Sequence, residues 1–105
     1  MKYKVERTDT ADSFIRKIVL FVAENFGKDV ALEKLDYLER SIMCLADNPY
    51  IGVEPKYNVL RRQGYLVLIL EKDIVFYKVN EEKKLVTVYA VVDQRQDYIG
   101  IIRGL

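Results

Sequence analysis

The sequence contains no histidine and only one cysteine, Cys44, among its 105 residues. The absence of histidine excludes Ser-His-Asp and Cys-His catalysis, and it removes the usual zinc sites, which rely on cysteine and histidine. A single cysteine cannot form an intramolecular disulfide, and its place in an apolar helical pattern predicts a buried, unreactive thiol. We therefore expect a protein without a metal, a cofactor or a disulfide.

Long apolar runs and a strong charge of one sign are also missing. No apolar run approaches the roughly 18 residues that a membrane-spanning helix needs, and the N-terminal stretch MKYKVERTDT lacks the apolar core of a signal peptide. The formal net charge is +1, which excludes a large uniform basic surface for nucleic acid but permits a local basic patch. These absences predict a cytoplasmic protein that does not contact a membrane.

What the sequence does contain predicts one globular domain over residues 1–105, because 50% of its residues are hydrophobic and 31% are charged. The alternation in KYKVER predicts a first strand. Thr8 or Asp9 can cap the helix that follows, and Gly27 suits its left-handed end. The predicted buried stripe of this helix comprises Phe14, Ile15, Ile18, Phe21, Val22 and Phe26.

A second helix is predicted from about Asp29 to Ala46. Its narrower apolar stripe comprises Ala31, Leu35, Leu38, Ile42 and Leu45. The connection between the two helices, FGKD, is short, so we expect an antiparallel helical hairpin. The next stretch, DNPYIGVEP, holds both prolines of the chain and predicts a loop.

The remainder of the sequence is rich in β-forming residues. Four runs, NVLRR, YLVLIL, IVFYKV and LVTVYAVV, are separated by gaps short enough to permit only antiparallel hairpins. The last stretch, DQRQDYIGIIRGL, is compatible with a short C-terminal helix. We predict an α+β fold: an N-terminal strand, a two-helix hairpin, and an antiparallel twisted sheet of three or four further strands with the hairpin on one face.

Three arginines at predicted strand ends are candidates for target contact. Arg61 and Arg62 end the predicted strand NVLRR, and Arg95 follows the last long strand. Successive side chains of a strand face opposite ways, so only one of Arg61 and Arg62 can share a face with Arg95. The alternative for each is a solvated arginine that pairs with an acid such as Asp93 or Asp97, which contributes only about 0–1 kcal/mol.

Tyrosines accompany these arginines in or beside the predicted sheet. They are Tyr57, Tyr65, Tyr77, Tyr89 and Tyr98. Half-buried packing is one interpretation, because tyrosine packs well in strands. A platform on which nucleic-acid bases stack beside arginines is the other. Tyr98 is the strongest candidate for contact, because it lies three residues after Arg95 and its phenol can donate to a phosphate.

Three stretches of the sequence, taken together and in this order, form a recognisable set of motifs. Residues 3–27 read as a strand that leads into Thr-x-x-Ala and an amphipathic helix. Residues 31–52 read as a helix that ends in Leu-x-x-x-Pro-x-x-Gly. Residues 73–98, DIVFYKVNEEKKLVTVYAVVDQRQDY, read as a strand, a turn, a last strand and a terminal Arg-x-Asp-Tyr, and LRR precedes them. The chain resembles the RelE/ParE superfamily, the toxins of bacterial type II toxin–antitoxin systems.

The resemblance implies a growth-inhibiting toxin of a plasmid stabilisation or addiction system, neutralised by a cognate antitoxin. RelE-like members cut ribosome-bound mRNA without a metal, and ParE-like members inhibit DNA gyrase. Arg95 falls where the family places its last-strand arginine, and Tyr98 lies near its C-terminal tyrosine. Antitoxins of this family wrap the toxin with a helix or extended segment, which requires an apolar groove or a free sheet edge. The candidates for that surface, which would also serve a homodimer when antitoxin is absent, are Leu66, Leu68, Leu70 and the first-helix stripe.

The central strands depart from the pattern of the mRNA-cutting members. Val67, Leu68 and Ile69 stand where those members present lysines, and Ile74 stands where they often present arginine. Asp93 replaces a histidine or glycine, and its charge would repel a phosphate. Three functions stay open at this point: a gyrase inhibitor, a divergent mRNA endonuclease, and a non-toxic protein-interaction module that keeps the fold.

Overall fold

The computed structural model describes residues 2–95 and 98–105. Its elements in chain order are β1 (Lys4–Arg7), α1 (Asp9–Phe26), α2 (Lys28–Met43), α3 (Asn58–Arg62), β2 (Leu66–Ile69), β3 (Asp73–Asn80), β4 (Leu85–Asp93) and α4 (Ile99–Arg103). The predicted α+β arrangement, with its helical hairpin and short C-terminal helix, is confirmed. Gln96 and Asp97, which belong to the Arg-x-Asp-Tyr stretch, lie outside the described residues.

A single residue, Gly27, connects the two helices of the hairpin. Thr8 caps α1 as predicted, since its Oγ1 accepts a hydrogen bond from the backbone N–H of Ala11 at 3.0 Å. Gly27 ends α1 by donating its N–H to the carbonyl of Ala23 at 3.0 Å, and it directly precedes α2. Its φ of +95° is a conformation that residues with a Cβ avoid, so glycine permits this sharp reversal.

The sheet has four strands in the order β1-β4-β3-β2. The pairs β2–β3 and β3–β4 are antiparallel, as predicted. However, β1 lies parallel to β4, with residues 4–7 opposite residues 85–88, so the sheet is mixed. A parallel pair needs a long crossover connection, which the helices and the two hairpins between β1 and β4 supply.

A first core fills the space between the helical hairpin and one face of the sheet. Its buried residues are Ala11, Ile15, Leu38, Ile42, Leu45, Val75, Tyr77, Val86, Val88 and Val91. The predicted stripe of α2 is confirmed, whereas the predicted stripe of α1 is too long. The side chains of α1 that pack on this core end at Val19, and Phe21 and Phe26 are 59% and 66% exposed. Helical spacing alone could not show where the sheet stops covering the helix.

A second core covers the opposite face of the sheet, which the sequence did not predict. Its buried residues are Leu60, Tyr65, Val67, Ile74, Phe76, Ala90, Val92 and Ile102. Alternation along β3 explains the division, because Val75 and Tyr77 face the hairpin while Ile74 and Phe76 face away. Leu60 from α3 and Ile102 from α4 pack on this second face. The sheet is therefore buried on both sides.

Two local predictions are wrong. NVLRR is not a strand but the short helix α3, in which the N–H groups of Leu60 and Arg61 both donate to the carbonyl of Tyr57 at 3.1 Å. Burial of Leu60 against the second face overrides the β propensity of the run. Cys44 is exposed rather than buried, because it follows the end of α2 between the inward-facing Ile42 and Leu45.

No helix within the described ranges is both long enough and apolar enough to cross a membrane.

Candidate functional site

Arg95 lies at the rim of the sheet, two residues after β4 ends at Asp93. Three donors of Arg95 converge on the Asp93 carboxylate: the backbone N–H at 2.8 Å, Nε at 3.1 Å and Nη2 at 3.0 Å. The Arg95 side chain nevertheless stays 86% exposed. The hydrogen bonds from Arg95 lower the pKa of Asp93, and the same contact raises the pKa of Arg95. We call this arrangement the Arg95–Asp93 clasp.

A second, buried ion pair lies beside the Arg95–Asp93 clasp. Asp93 stands opposite Asp73 in the antiparallel register of β3 and β4. Lys34 of α2 donates to the Asp73 carboxylate, which is 3% exposed. Two carboxylates that face each other across the strands are thus balanced by Lys34 from the interior and by Arg95 from the solvent side.

Gln94 fixes the segment that carries Arg95. Its side-chain amide donates to the carbonyl of Leu70 at 2.6 Å, and its backbone N–H donates to the carbonyl of Lys72 at 3.0 Å. The turn between β2 and β3 is therefore tied to the exit of β4. Arg95 consequently projects from a fixed part of the fold.

Tyr98 belongs to the second core rather than to the clasp. Its half-buried ring meets Tyr57 edge-on, with centroids 5.9 Å apart, and leans on Phe76 at 5.3 Å. Within residues 2–95 and 98–105, no hydrogen bond or aromatic contact joins Tyr98 to Arg95. Arg95 and Tyr98 are therefore close in sequence but contact different residues.

Arg61 and Arg62 lie in the last turn of α3, not at the end of a strand. Nη1 of Arg61 donates to the carbonyls of Pro55 at 2.9 Å and Lys56 at 3.3 Å. Together with Glu54 and Asn58, the two arginines line an open depression of about 440 Å³. Only one of Arg61 and Arg62 was expected to share a face with Arg95, because side chains alternate along a strand. That reason does not apply to a helix, and both arginines border the same depression.

The tyrosines interlock instead of forming a flat platform. Tyr65 meets Phe76 at 6.1 Å with the planes 87° apart, and it meets Tyr89 at 5.6 Å with the planes 89° apart. Edge-to-face contacts of this kind stabilise packing. Tyr77 points the other way, into the first core, where its hydroxyl accepts a hydrogen bond from the N–H of Gly52 at 3.0 Å. The packing interpretation therefore describes this cluster.

Lys78 is a cation on the second face that the sequence reasoning missed. Its ammonium lies 4.5 Å from the ring centroid of Tyr65 and 5.2 Å from that of Tyr89, within the range of cation–π attraction. Burial, and then the proximity of Tyr89, raise the pKa of Tyr65. The signal was present in the sequence, because Lys78 follows Phe76 by two residues and must share its face.

The candidate surfaces for a partner differ in exposure. Leu66, Leu68 and Leu70 pack against the first core. In contrast, Leu20, Phe21 and Phe26 of α1 are more than half exposed, and so is Ile69 at the end of β2. No group of three or more cysteine, aspartate or glutamate residues in the described part of the chain is arranged to hold a metal ion.

A helical hairpin on a mixed four-stranded sheet is the fold of the RelE/ParE class of toxins. Solved structures share the fold. The chain is similar to a protein of the chromosomal ParDE system from P. aeruginosa (16% identity, 88% of this chain and 96% of that chain, TM-score 0.73). It is also similar to one from the RelBE2 toxin–antitoxin complex of Mycobacterium tuberculosis (14% identity, 91% and 95%, TM-score 0.66). A mutant of the E. coli toxin RelE in the free state aligns over 100% of both chains, with 18% identity and a TM-score of 0.63.

The profile of one family, the ParE toxin of type II toxin-antitoxin system, parDE, matches residues 5–98. The chain belongs to this family. No curated protein matches the sequence. The protein is therefore the toxin component of a type II toxin–antitoxin system, and its partner is a cognate antitoxin, so these two expectations from the resemblance are confirmed.

Proposed function

We propose that this toxin inhibits growth by binding a protein target, DNA gyrase, rather than by cutting mRNA. The observation that carries the proposal is the closed second face of the sheet. Val67, Ile74 and Phe76 are buried there, beneath Leu60 of α3 and Ile102 of α4. An RNA backbone that lay on this face would have to displace both helices.

Metal-free RNA cleavage makes demands that this face does not meet. The enzyme must activate a 2′-hydroxyl, stabilise an anionic phosphorane and protonate a leaving oxygen. Those tasks call for several cations and a proton donor around one phosphate. Lys78 is a cation on this face, but its ammonium lies over the rings of Tyr65 and Tyr89.

Arg95 is the residue we propose for target contact, with Arg61, Arg62 and Tyr98 as further contact residues. An exposed arginine held on a fixed loop suits a protein interface, because arginine is enriched among the residues that dominate binding. Its carboxylate partner, Asp93, leaves the outer part of the guanidinium free for a second acceptor.

Purified toxin tests the proposal in two reactions. We expect gyrase supercoiling to fail while mRNA stays intact in a cell-free translation reaction. Cuts in mRNA that require the ribosome, together with normal supercoiling, would support the endonuclease and contradict the proposal. Unimpaired growth with abundant, folded, antitoxin-free protein would support the non-toxic interaction module.

Arg95→Ala tests the contact itself, and Arg40→Ala is its matched control. Arg40 is also an exposed arginine with one carboxylate partner, Asp36 at 2.9 Å, but it lies on α2. We expect Arg95→Ala to weaken gyrase inhibition about fivefold, as the loss of about 1 kcal/mol does, and Arg40→Ala to leave it unchanged. Equal inhibition by both variants would exclude Arg95 from the contact.

We also infer that the toxin works in the cytoplasm, stabilises the plasmid or locus that encodes it, and forms a homodimer when antitoxin is absent. Leu20, Phe21 and Phe26 of α1 are large apolar side chains that are more than half exposed, and they supply apolar surface that self-association could bury. Light scattering on the free toxin and on its complex with antitoxin tests this. A free toxin that stays monomeric at all concentrations would contradict it.

A further inference from the structure

The Arg95–Asp93 clasp has the geometry of an occupied oxyanion site. A backbone N–H and two guanidinium N–H groups of Arg95 meet both oxygens of one carboxylate at 2.8 to 3.1 Å. Arginine holds phosphates with the same forked donors. The side chain of Asp93 stands where a phosphate oxygen of a bound nucleic acid would stand.

We propose that Asp93 is a specificity-determining residue that keeps nucleic-acid phosphates off Arg95. The inference rests on the proposed function only in that Arg95 belongs to the contact surface. It adds a chemical reason why Arg95, at the rim of the sheet, binds a protein rather than a nucleic acid.

The charges of the two ion pairs, Lys34–Asp73 and Arg95–Asp93, sum to zero. Lys34 and Arg95 contribute two positive charges, and Asp73 and Asp93 contribute two negative charges. A phosphodiester that approached Arg95 would find no net charge on these four groups, and to bind it would have to displace Asp93. The displaced carboxylate would then face the carboxylate of Asp73, its neighbour across the strands, with its own cation engaged elsewhere.

Asp93→Asn isolates this effect. An asparagine oxygen can still accept the backbone N–H of Arg95, as it does in Asx turns, so the local turn is kept while the charge is removed. The guanidinium then becomes available to an external anion. The four groups carry a net charge of +1 in this variant.

Asp36→Asn is the matched control. Asp36 is an exposed aspartate that pairs with an exposed arginine, Arg40, at 2.9 Å. Its replacement changes the net charge of the protein by the same amount and also frees an arginine. It leaves the exit of β4 untouched, so it reports the effect of general charge.

The measurement is fluorescence anisotropy with a labelled single-stranded RNA of about 12 nucleotides, within the usual site size of single-strand binders. We expect Asp93→Asn to bind about fivefold tighter than the wild type, because it releases Nε and Nη2 of Arg95, a forked pair of donors that suits a phosphate, whereas Asp36 holds only Nε of Arg40. The slope of log affinity against log salt should steepen by about 0.7, which corresponds to one added phosphate contact. Asp36→Asn should stay within about twofold of the wild type.

Adding Arg95→Gln to Asp93→Asn should abolish the gain. Equal gains in Asp93→Asn and Asp36→Asn, or no gain in Asp93→Asn, would overturn the inference. Circular dichroism verifies folding, and Asp93→Ser, whose hydroxyl can also accept the backbone N–H of Arg95, replaces Asp93→Asn if the asparagine variant does not fold. Because these outcomes are independent of gyrase inhibition by the wild type, each proposal can fail alone.

Discussion

Lys34 of α2 and Asp73 of β3 form an ion pair between the helical layer and the sheet, with only 18% and 3% of their side chains exposed. The two residues are 39 positions apart in the sequence. Asp73 is the buried charged residue of the described part of the chain. The pair therefore fixes α2 over the start of β3, next to the end of β4 from which the chain leads to Arg95.

Removing one partner of this pair should destabilise the fold strongly. Lys34→Met leaves the Asp73 carboxylate buried without its cation, and we expect the free energy of unfolding to fall by about 3 kcal/mol. Lys34→Met combined with Asp73→Leu removes both charges and should recover much of that loss. Urea denaturation of both single variants and the double variant measures the coupling. Additive losses would show that the pair does not act as a unit.

Gly52 should tolerate no side chain. A Cβ at this position would lie 2.5 Å from the Tyr77 hydroxyl and 2.5 Å from the carbonyl of Val67, and the second of these belongs to the backbone and cannot move aside easily. We expect Gly52→Ala to lower the free energy of unfolding by about 1–3 kcal/mol, as overpacking does. Chemical denaturation is the measurement.

The control for Gly52 is Gly100, which lies in α4 with open space around its Cβ position. Gly100→Ala should leave stability unchanged or raise it by about 0.4–1 kcal/mol, because it reduces the freedom of the unfolded chain. Equal effects at the two positions would contradict the close approach described for Gly52.

Acid should weaken a polar cluster around Glu81. The Glu81 carboxylate accepts hydrogen bonds from Lys84 at 2.8 Å, from Tyr3 at 2.6 Å and from Tyr50. These bonds, with Lys84 the largest cause, lower its pKa from 4.5 to about 2. A carboxylate with a lowered pKa stabilises the folded state above its unfolded pKa, and this stabilisation is lost as the pH falls through the folded value.

The expected consequence is pH-dependent. Glu81→Gln should be less stable than the wild type near neutral pH, and the difference should shrink as the pH falls from 4.5 to about 2. Thermal unfolding of both proteins across this range measures it. Glu82→Gln, at the neighbouring exposed position, is the control and should show no such convergence. A difference that stays constant with pH would contradict the role of the Glu81 charge.

Substitution of Ile102 tests whether α4 covers the second face of the sheet. It is 1% exposed, while its neighbour Ile101 is 37% exposed. Ile102→Ala should lower the free energy of unfolding by about 2 kcal/mol or more, and Ile101→Ala should change it by less than about 0.5 kcal/mol. Similar small effects for both would mean that the second face is open in solution, which would also remove the main support for a protein target.

Sequence patterns predicted the elements that have a clear period. The stripe of α2 is confirmed because its residues face one layer, and the strands β3 and β4 are confirmed because both runs are rich in β-branched and aromatic residues. The pattern could not show that β1 joins the sheet parallel to β4, because strand direction depends on the path of the chain between them. It also could not show that α3 and α4 cover the second face, since neither is long enough to display a helical period.

The candidate site was predictable only in part. Arg95 at the strand exit could be read from the end of an apolar run. The ion pair between Lys34 and Asp73 could not be predicted, because no local sequence pattern connects residues so far apart. Phe21 and Phe26 match a buried helical stripe yet are exposed, because α1 packs on the first core only as far as Val19.

The pairing of the first strand with the last has a consequence for synthesis of the toxin. Residues 4–7 leave the ribosome before their partners at 85–88 are made. Contacts so distant in sequence form late and slow folding. The finished sheet, and with it any harm to the cell that makes the toxin, therefore arises only after residues 85–88 have been translated.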